Sequence, residues 1–236
     1  MKRFWEIDSL RGIAIIAMVI SNLVTDLIFF GLYFPGSLAG FWNLFAYATA
    51  TTFIVLVGIS LSLSYSRVRK WKKQRIWKKY IERGLKILSW GLIITAVTYL
   101  LMDSGYILFG VLHLIGLSII LSVPFLNFKE LNLWLGGLLI FLGIFTKTFT
   151  VDFSWLVWLG LMPQNFFSVD YFPLLPWFGV VLTGIYLGKI FYPDGKRMLK
   201  IKERKSGMLS YLGKHSLIIY LIHQPILIGL LYLLVL

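Results

Sequence analysis

Two short constellations in this chain have residue types suited to proton chemistry. Asn22 and Asp26 stand four residues apart in an otherwise apolar run, 7–30, which also carries Asp8 and Arg11 near its start. At ~1.5 Å of rise per residue they share one helix face, about 16 Å and about 23 Å along the axis from Arg11. A carboxylate in hydrocarbon is costly unless paired or wetted, so Asp26 marks a functional site by default. His113 lies in the run FGVLHLIGLS, roughly 10 Å in from the outer edge of its predicted span. That is the depth of Asp26 if the two helices run antiparallel. An imidazole there could take a proton from an attacking amine or hydroxyl while a carboxylate orients it. His223 and Gln224, beside Pro225 in the last apolar run, either glue a kinked helix or meet a ligand. The chain has no cysteine, which excludes thiolate nucleophiles, thiolate metal sites and disulfides; no metal is expected.

The elements that must hold these groups are membrane helices. At 236 residues, 58% hydrophobic and 14% charged, the chain falls outside the composition of soluble domains. The hydropathy pattern predicts an all-α, polytopic helix bundle, read as one domain over 1–236. About seven spans are expected, near 7–30, 41–66, 85–102, 107–126, 131–145, 170–187 and 209–236. Asp8 or Ser9 is the expected cap of the first, and Pro225 is expected to kink the last.

Arg67 to Lys86 holds ten Lys or Arg against one Glu, with apolar residues every three to four positions. It reads as an amphipathic helix on the inner surface. A second basic loop, Lys189 to Lys205, holds seven Lys or Arg. With a cytoplasmic N-terminus and the C-terminus outside, Lys147 is the only basic residue of 23 on the outer side, so topology accounts for the net charge of +13 without nucleic acid. Two polar levels result. Arg11, Arg67, Lys70 and Lys73, with His223 and Gln224, suit a phosphate-rich ligand inside; Asn22, Asp26, His113, Asp103, Asp170 and Tyr171 form an outer level. Arg11 alternatively anchors the helix by pairing with Asp8 at i,i+3, and the loop cations alternatively touch anionic lipid.

In this order RFWEIDSLRGIAIIAMVISNLVTDLIFFG, FGVLHLIGLSIIL, DYFPLLPWFGVVLTGIYLG and SLIIYLIHQPI resemble the prokaryotic branch of the heparan-alpha-glucosaminide N-acetyltransferase catalytic-domain family. The resemblance implies transfer of an acetyl or acyl group from cytoplasmic acetyl-CoA to an extracytoplasmic sugar amine or hydroxyl. The lysosomal enzyme uses a histidine in the first outer loop, where this chain has none. Many prokaryotic relatives carry one late in the first span, where this chain has Asn22, and an amide is no general base. The base is then His113, the first choice with Asp26 and Asn22 as orienting or acceptor-binding groups, or else His223; otherwise the activity is changed or lost. The rival readings are a small proton-coupled transporter or exporter working through Asp26, His113 and His223, and a non-catalytic relative. Expected partners are membrane lipid and a glycan or glycolipid acceptor in the plasma membrane, with a homo-oligomer left open.

Overall fold

The computed structural model describes residues 4–146, 148–199 and 207–234. Lys2, Arg3, Lys147, Lys200, Lys202, Arg204 and Lys205 lie outside the described residues, and with them the expectation for Lys147. Among the described residues there are eight α-helices and one two-residue parallel strand pair, Thr150–Val151 with Met162–Pro163. The protein is all-α. Five helices are long and apolar enough to cross a membrane: α1 (Trp5–Phe29), α2 (Ala39–Ser66), α3 (Lys73–Leu101), α6 (Leu174–Phe191) and α8 (Ser216–Leu234). Much of their apolar surface has no protein partner. Leu100 and Leu101 of α3 are 81% and 80% exposed, a loss in water that hydrocarbon removes.

The contacts divide the chain into two compact units, 1–56 with 201–236, and 57–200. In the first, α1 begins at Trp5 with no side-chain cap. Asp8 and Ser9 therefore lie inside the helix rather than capping it, with Asp8 placed to meet the positive end of the dipole. The expected last span is two helices, α7 (Met208–Lys214) and α8, broken at His215. Where α7 meets α1 the backbones touch: a Cβ on Gly12 would strike the Leu209 carbonyl, and one on Gly213 the Asp8 carbonyl. These contacts run in opposite order along the two helices, so α7 crosses α1 antiparallel. The pairs Asn22–His223, Asp26–Gln224 and Phe30–Tyr232 rise together, so α8 runs parallel to α1. The chain reverses at His215, and α8 continues helical through Pro225.

The second unit holds the end of α2, then α3, α4 (Val111–Leu121), α5 (Glu130–Thr146) and α6. Small residues let these helices approach closely. Gly84 and Gly116 face each other's helices between α3 and α4, Gly136 and Gly179 do so between α5 and α6, and Gly143 abuts Pro176. The basic stretch 67–86 is not a separate surface helix. A turn at 67–72 leads into α3, a single helix of 29 residues, or about 43 Å.

Helix α4 is shorter than its apolar run suggests. It has 11 residues, about 16 Å against a hydrocarbon core of roughly 30 Å. Residues 105–110 are irregular, turning at Gly105 with φ 76°. Irregular backbone is tolerated among membrane helices only where its polar groups find protein partners, and here they do. Thr95 Oγ1 donates to Ile107 O, Ile107 N donates to Thr98 Oγ1, and the backbone N–H groups of Val169 and Phe172 donate to Gly105 O and Phe109 O.

Candidate active site

Parallel α1 and α8 bring two polar doublets together as a ladder. Asn22 Nδ2 meets His223 Nε2 at 2.7 Å, and Gln224 Nε2 donates to Asp26 Oδ1 at 2.7 Å. His223 Nδ1 lies 2.7 Å from the Tyr220 carbonyl. A carbonyl only accepts, so Nδ1 carries the proton, and in the neutral ring Nε2 presents its lone pair to the Asn22 amide. His223 thus bonds the Tyr220 carbonyl, not the Leu221 carbonyl, whose usual N–H donor is missing at Pro225. His223 is 7% exposed and Asp26 8%. Asp26 belongs to the last turn of α1, so α8 buries it rather than mid-span depth. Its Oδ2 is buried with no hydrogen-bond partner among the described residues. A carboxylate oxygen in that state is an acceptor waiting for an N–H, an O–H or a proton.

At the other end of α1, Arg11 Nη1 donates to Asp8 Oδ1 at 3.1 Å and lies 3.4 Å from the Gly213 carbonyl. The i,i+3 anchor is therefore present. Arg11 also meets the negative end of α7, which offsets its own unfavourable place near the start of α1.

His113, Asp170 and Tyr171 belong to the second unit, where they form one cluster around the start of α4. Gly110 N donates to His113 Nδ1 at 3.2 Å, and His113 Nε2 lies 3.3 Å from Thr95 Oγ1. With its lone pair taken by Gly110 N–H, the neutral ring carries its proton on Nε2, and Thr95 accepts it while donating to Ile107 O. Both ring nitrogens are spoken for, and the ring is 4% exposed. Asp170 Oδ2 accepts from Val111 N at 3.3 Å, a carboxylate against a helix N-terminus. Tyr171 Oη donates to Val157 O at 2.7 Å, and burial pushes the phenol up to about 12. Neither Thr95 nor the Asn22–His223 pairing is marked in the sequence as a unit. A polar residue at the matching point of two apolar runs is the one available signal.

The cations lie apart from these clusters in sequence. Arg67, Lys70 and Lys73 are exposed, while Arg69 pairs with Asp194 and Lys78 with Glu82. A shallow furrow of about 640 Å³ lies along the first turns of α3. Its rim carries five Lys or Arg side chains and one Glu. Among the described residues no three His, Asp or Glu side chains gather as a metal site.

The family model for the catalytic region of heparan-alpha-glucosaminide N-acetyltransferase matches residues 3–225. No curated protein and no solved structure matches the chain. The match takes in α1 through the first half of α8, and so both sides of the polar ladder. Membrane helices and this near-complete match agree: the chain belongs to the heparan-alpha-glucosaminide N-acetyltransferase catalytic-domain family, a family of membrane acetyltransferase character.

Proposed function

We propose that the protein transfers an acetyl group from acetyl-CoA to a sugar amine or hydroxyl, with His223 as general base and Asp26 as the group that receives the acceptor. The observation that carries this is the fixed tautomer of His223: Nδ1–H is tied to Tyr220, which leaves Nε2 as the basic nitrogen, 2.7 Å from Asn22. His113, the first choice from the sequence, has no lone pair to spare. The family resemblance implies a histidine late in the first span of many prokaryotic members, and here Asn22 at that place touches one supplied by α8. On this reading the base has changed helix and kept its place.

The acceptor displaces the Asn22 amide from Nε2, and Asp26 Oδ2 holds a second N–H or O–H of the same molecule. As the acceptor attacks the thioester carbonyl, a C–N or C–O bond forms and the C–S bond breaks. Nε2 takes the acceptor's proton and returns it to the leaving sulfur. General acid–base help of this kind is worth roughly 10²- to 10⁴-fold. Arg11 and Gln224 serve the fold through Gly213 and Asp26.

The same reading sets the N-terminus on the cytoplasmic side of the plasma membrane and the C-terminus outside. Seven crossings follow if α4 and α5 cross with their flanking residues. The test is transfer of labelled acetyl from acetyl-CoA to amino sugars and glycolipids by the protein in proteoliposomes. Label on an acceptor that disappears in His223→Ala supports the proposal; full transfer by folded His223→Ala overturns it. One observation favours the transporter reading: the unpartnered Asp26 oxygen also suits a proton carried across. Proton uptake by vesicles with no label on any acceptor would select that reading.

A further inference from the structure

Trp71, Arg75, Lys79 and Arg83 follow one another at four-residue spacing, from the turn at 67–72 into α3. Arg75, Lys79 and Arg83 make a single row on one face of α3, and Trp71 sits in the turn just before it. Three of the four are cations, and like charges at i,i+4 repel. The neighbouring row does the opposite, with Lys78 paired to Glu82 at 3.9 Å. The first turn of α3 contains no acidic residue, so the cations nearest its start also oppose the helix dipole.

The row is nevertheless organised. The Arg75 guanidinium lies 4.3 Å from the centre of the Trp71 ring, and the Lys79 ammonium lies 5.6 Å from Trp71 and 5.4 Å from Tyr80. Lys79 Nζ also donates to Ser64 Oγ at 3.1 Å. Trp71, Arg75, Lys79 and Arg83 line the furrow of about 640 Å³ together with Lys78, Lys86 and Glu82. A purely topological charge needs no such fixing. Side chains that are held in place while repelling one another gain when a compact anion bridges them.

We propose that the Trp71–Arg75–Lys79–Arg83 row is a phosphoryl-binding site, for a phosphate mono- or diester presented by an anionic lipid headgroup or a soluble phosphorylated ligand. It does not depend on the transfer reaction, and its test reads no acetyl transfer, so either reading can fall alone. The full chain, purified in neutral phosphatidylcholine nanodiscs, is titrated with inorganic pyrophosphate against chloride at equal ionic strength. In parallel, retention of phosphatidylglycerol over phosphatidylcholine is measured by native mass spectrometry.

Arg75→Gln/Lys79→Gln/Arg83→Gln weakens the response at least tenfold. Lys72→Gln/Lys196→Gln, off the row, changes it less than twofold, and Arg75→Lys/Arg83→Lys keeps charge but weakens binding partially. Pyrophosphate binding without lipid preference identifies a soluble ligand; phosphatidylglycerol retention that pyrophosphate does not displace identifies a headgroup. Wild-type protein that shows neither overturns the proposal, even if the triple variant fails to fold. So does an equal loss in the off-row variant.

Discussion

The start of α4 and the ladder between α1 and α8 are made of the same materials, a histidine, a carboxylate and neighbouring hydrogen-bonding side chains, put to opposite ends. At α4 the acceptor atoms are held by backbone N–H groups, His113 Nδ1 by Gly110 and Asp170 Oδ2 by Val111, and Tyr171 donates to the Val157 carbonyl, while His113 Nε2 meets Thr95. In the ladder His223 Nδ1 is tied to the Tyr220 carbonyl, but the acceptor atoms His223 Nε2 and Asp26 Oδ1 are held by side-chain amides, and one carboxylate oxygen is left over. Backbone partners cannot leave without unravelling the chain. A side-chain amide can swing aside for a substrate at the cost of one hydrogen bond, about 1 kcal/mol net. Histidine and carboxylate at one depth are therefore weak evidence of catalysis; what their other atoms touch decides.

The comparison breaks hardest at the two histidines. His223→Ala should lower acetyl transfer per folded molecule by about 10²-fold or more, beyond the stability it loses by stranding Asn22 and the Tyr220 carbonyl, measured by label transfer and by unfolding of the same preparation. His113→Ala should lose stability alone. It strands Gly110 N–H and Thr95, costs about 1–3 kcal/mol of stability, and leaves transfer per folded molecule within a few-fold of wild type. Equal losses of activity in both variants would erase the distinction.

A finer contrast sets Asp26 against Asp170. Asp26→Asn keeps a partner for Gln224 by turning its amide, yet replaces an anionic acceptor with a neutral group. KM for the acceptor should rise roughly tenfold, the worth of one charge-assisted hydrogen bond, with kcat changed less. Asp170→Asn should cost about 0.3–1 kcal/mol of stability through the helix dipole and leave KM unchanged.

The smallest effect is a pH dependence at Tyr171, whose phenol is held up to about 12. An unfolded tyrosine ionises near 10, so this group's contribution is complete below about pH 10 and is lost as pH rises toward 12. Tyr171→Phe should flatten that part of the stability curve, followed by denaturant midpoints between about pH 9 and 11.

Much of this architecture was legible from hydropathy alone. The apolar runs containing Asn22, Trp90 and Trp177 are helices long and apolar enough to cross a membrane, and the Asp8–Arg11 pair followed from helical spacing. Residues 107–110 were not legible. They are as apolar as a helix interior and lose helicity because Thr95, Thr98, His113 and the loop around Asp170 satisfy their backbone from elsewhere in the chain. The break at His215 was equally hidden, with no proline to announce it, while Pro225 attracted the expectation of a kink. Pairing Asn22 with His223 required knowing that α8 runs parallel to α1, and direction is a tertiary fact.

The rungs of that ladder join residues 201 and 198 positions apart in the chain. At a synthesis rate of about 5–20 residues per second, α1 waits some 10–40 s in the membrane before α8 emerges. For that interval Asp26 has neither Gln224 nor His223 beside it. On the proposed reading, a chain that stops before α8 lacks its general base and transfers no acetyl group.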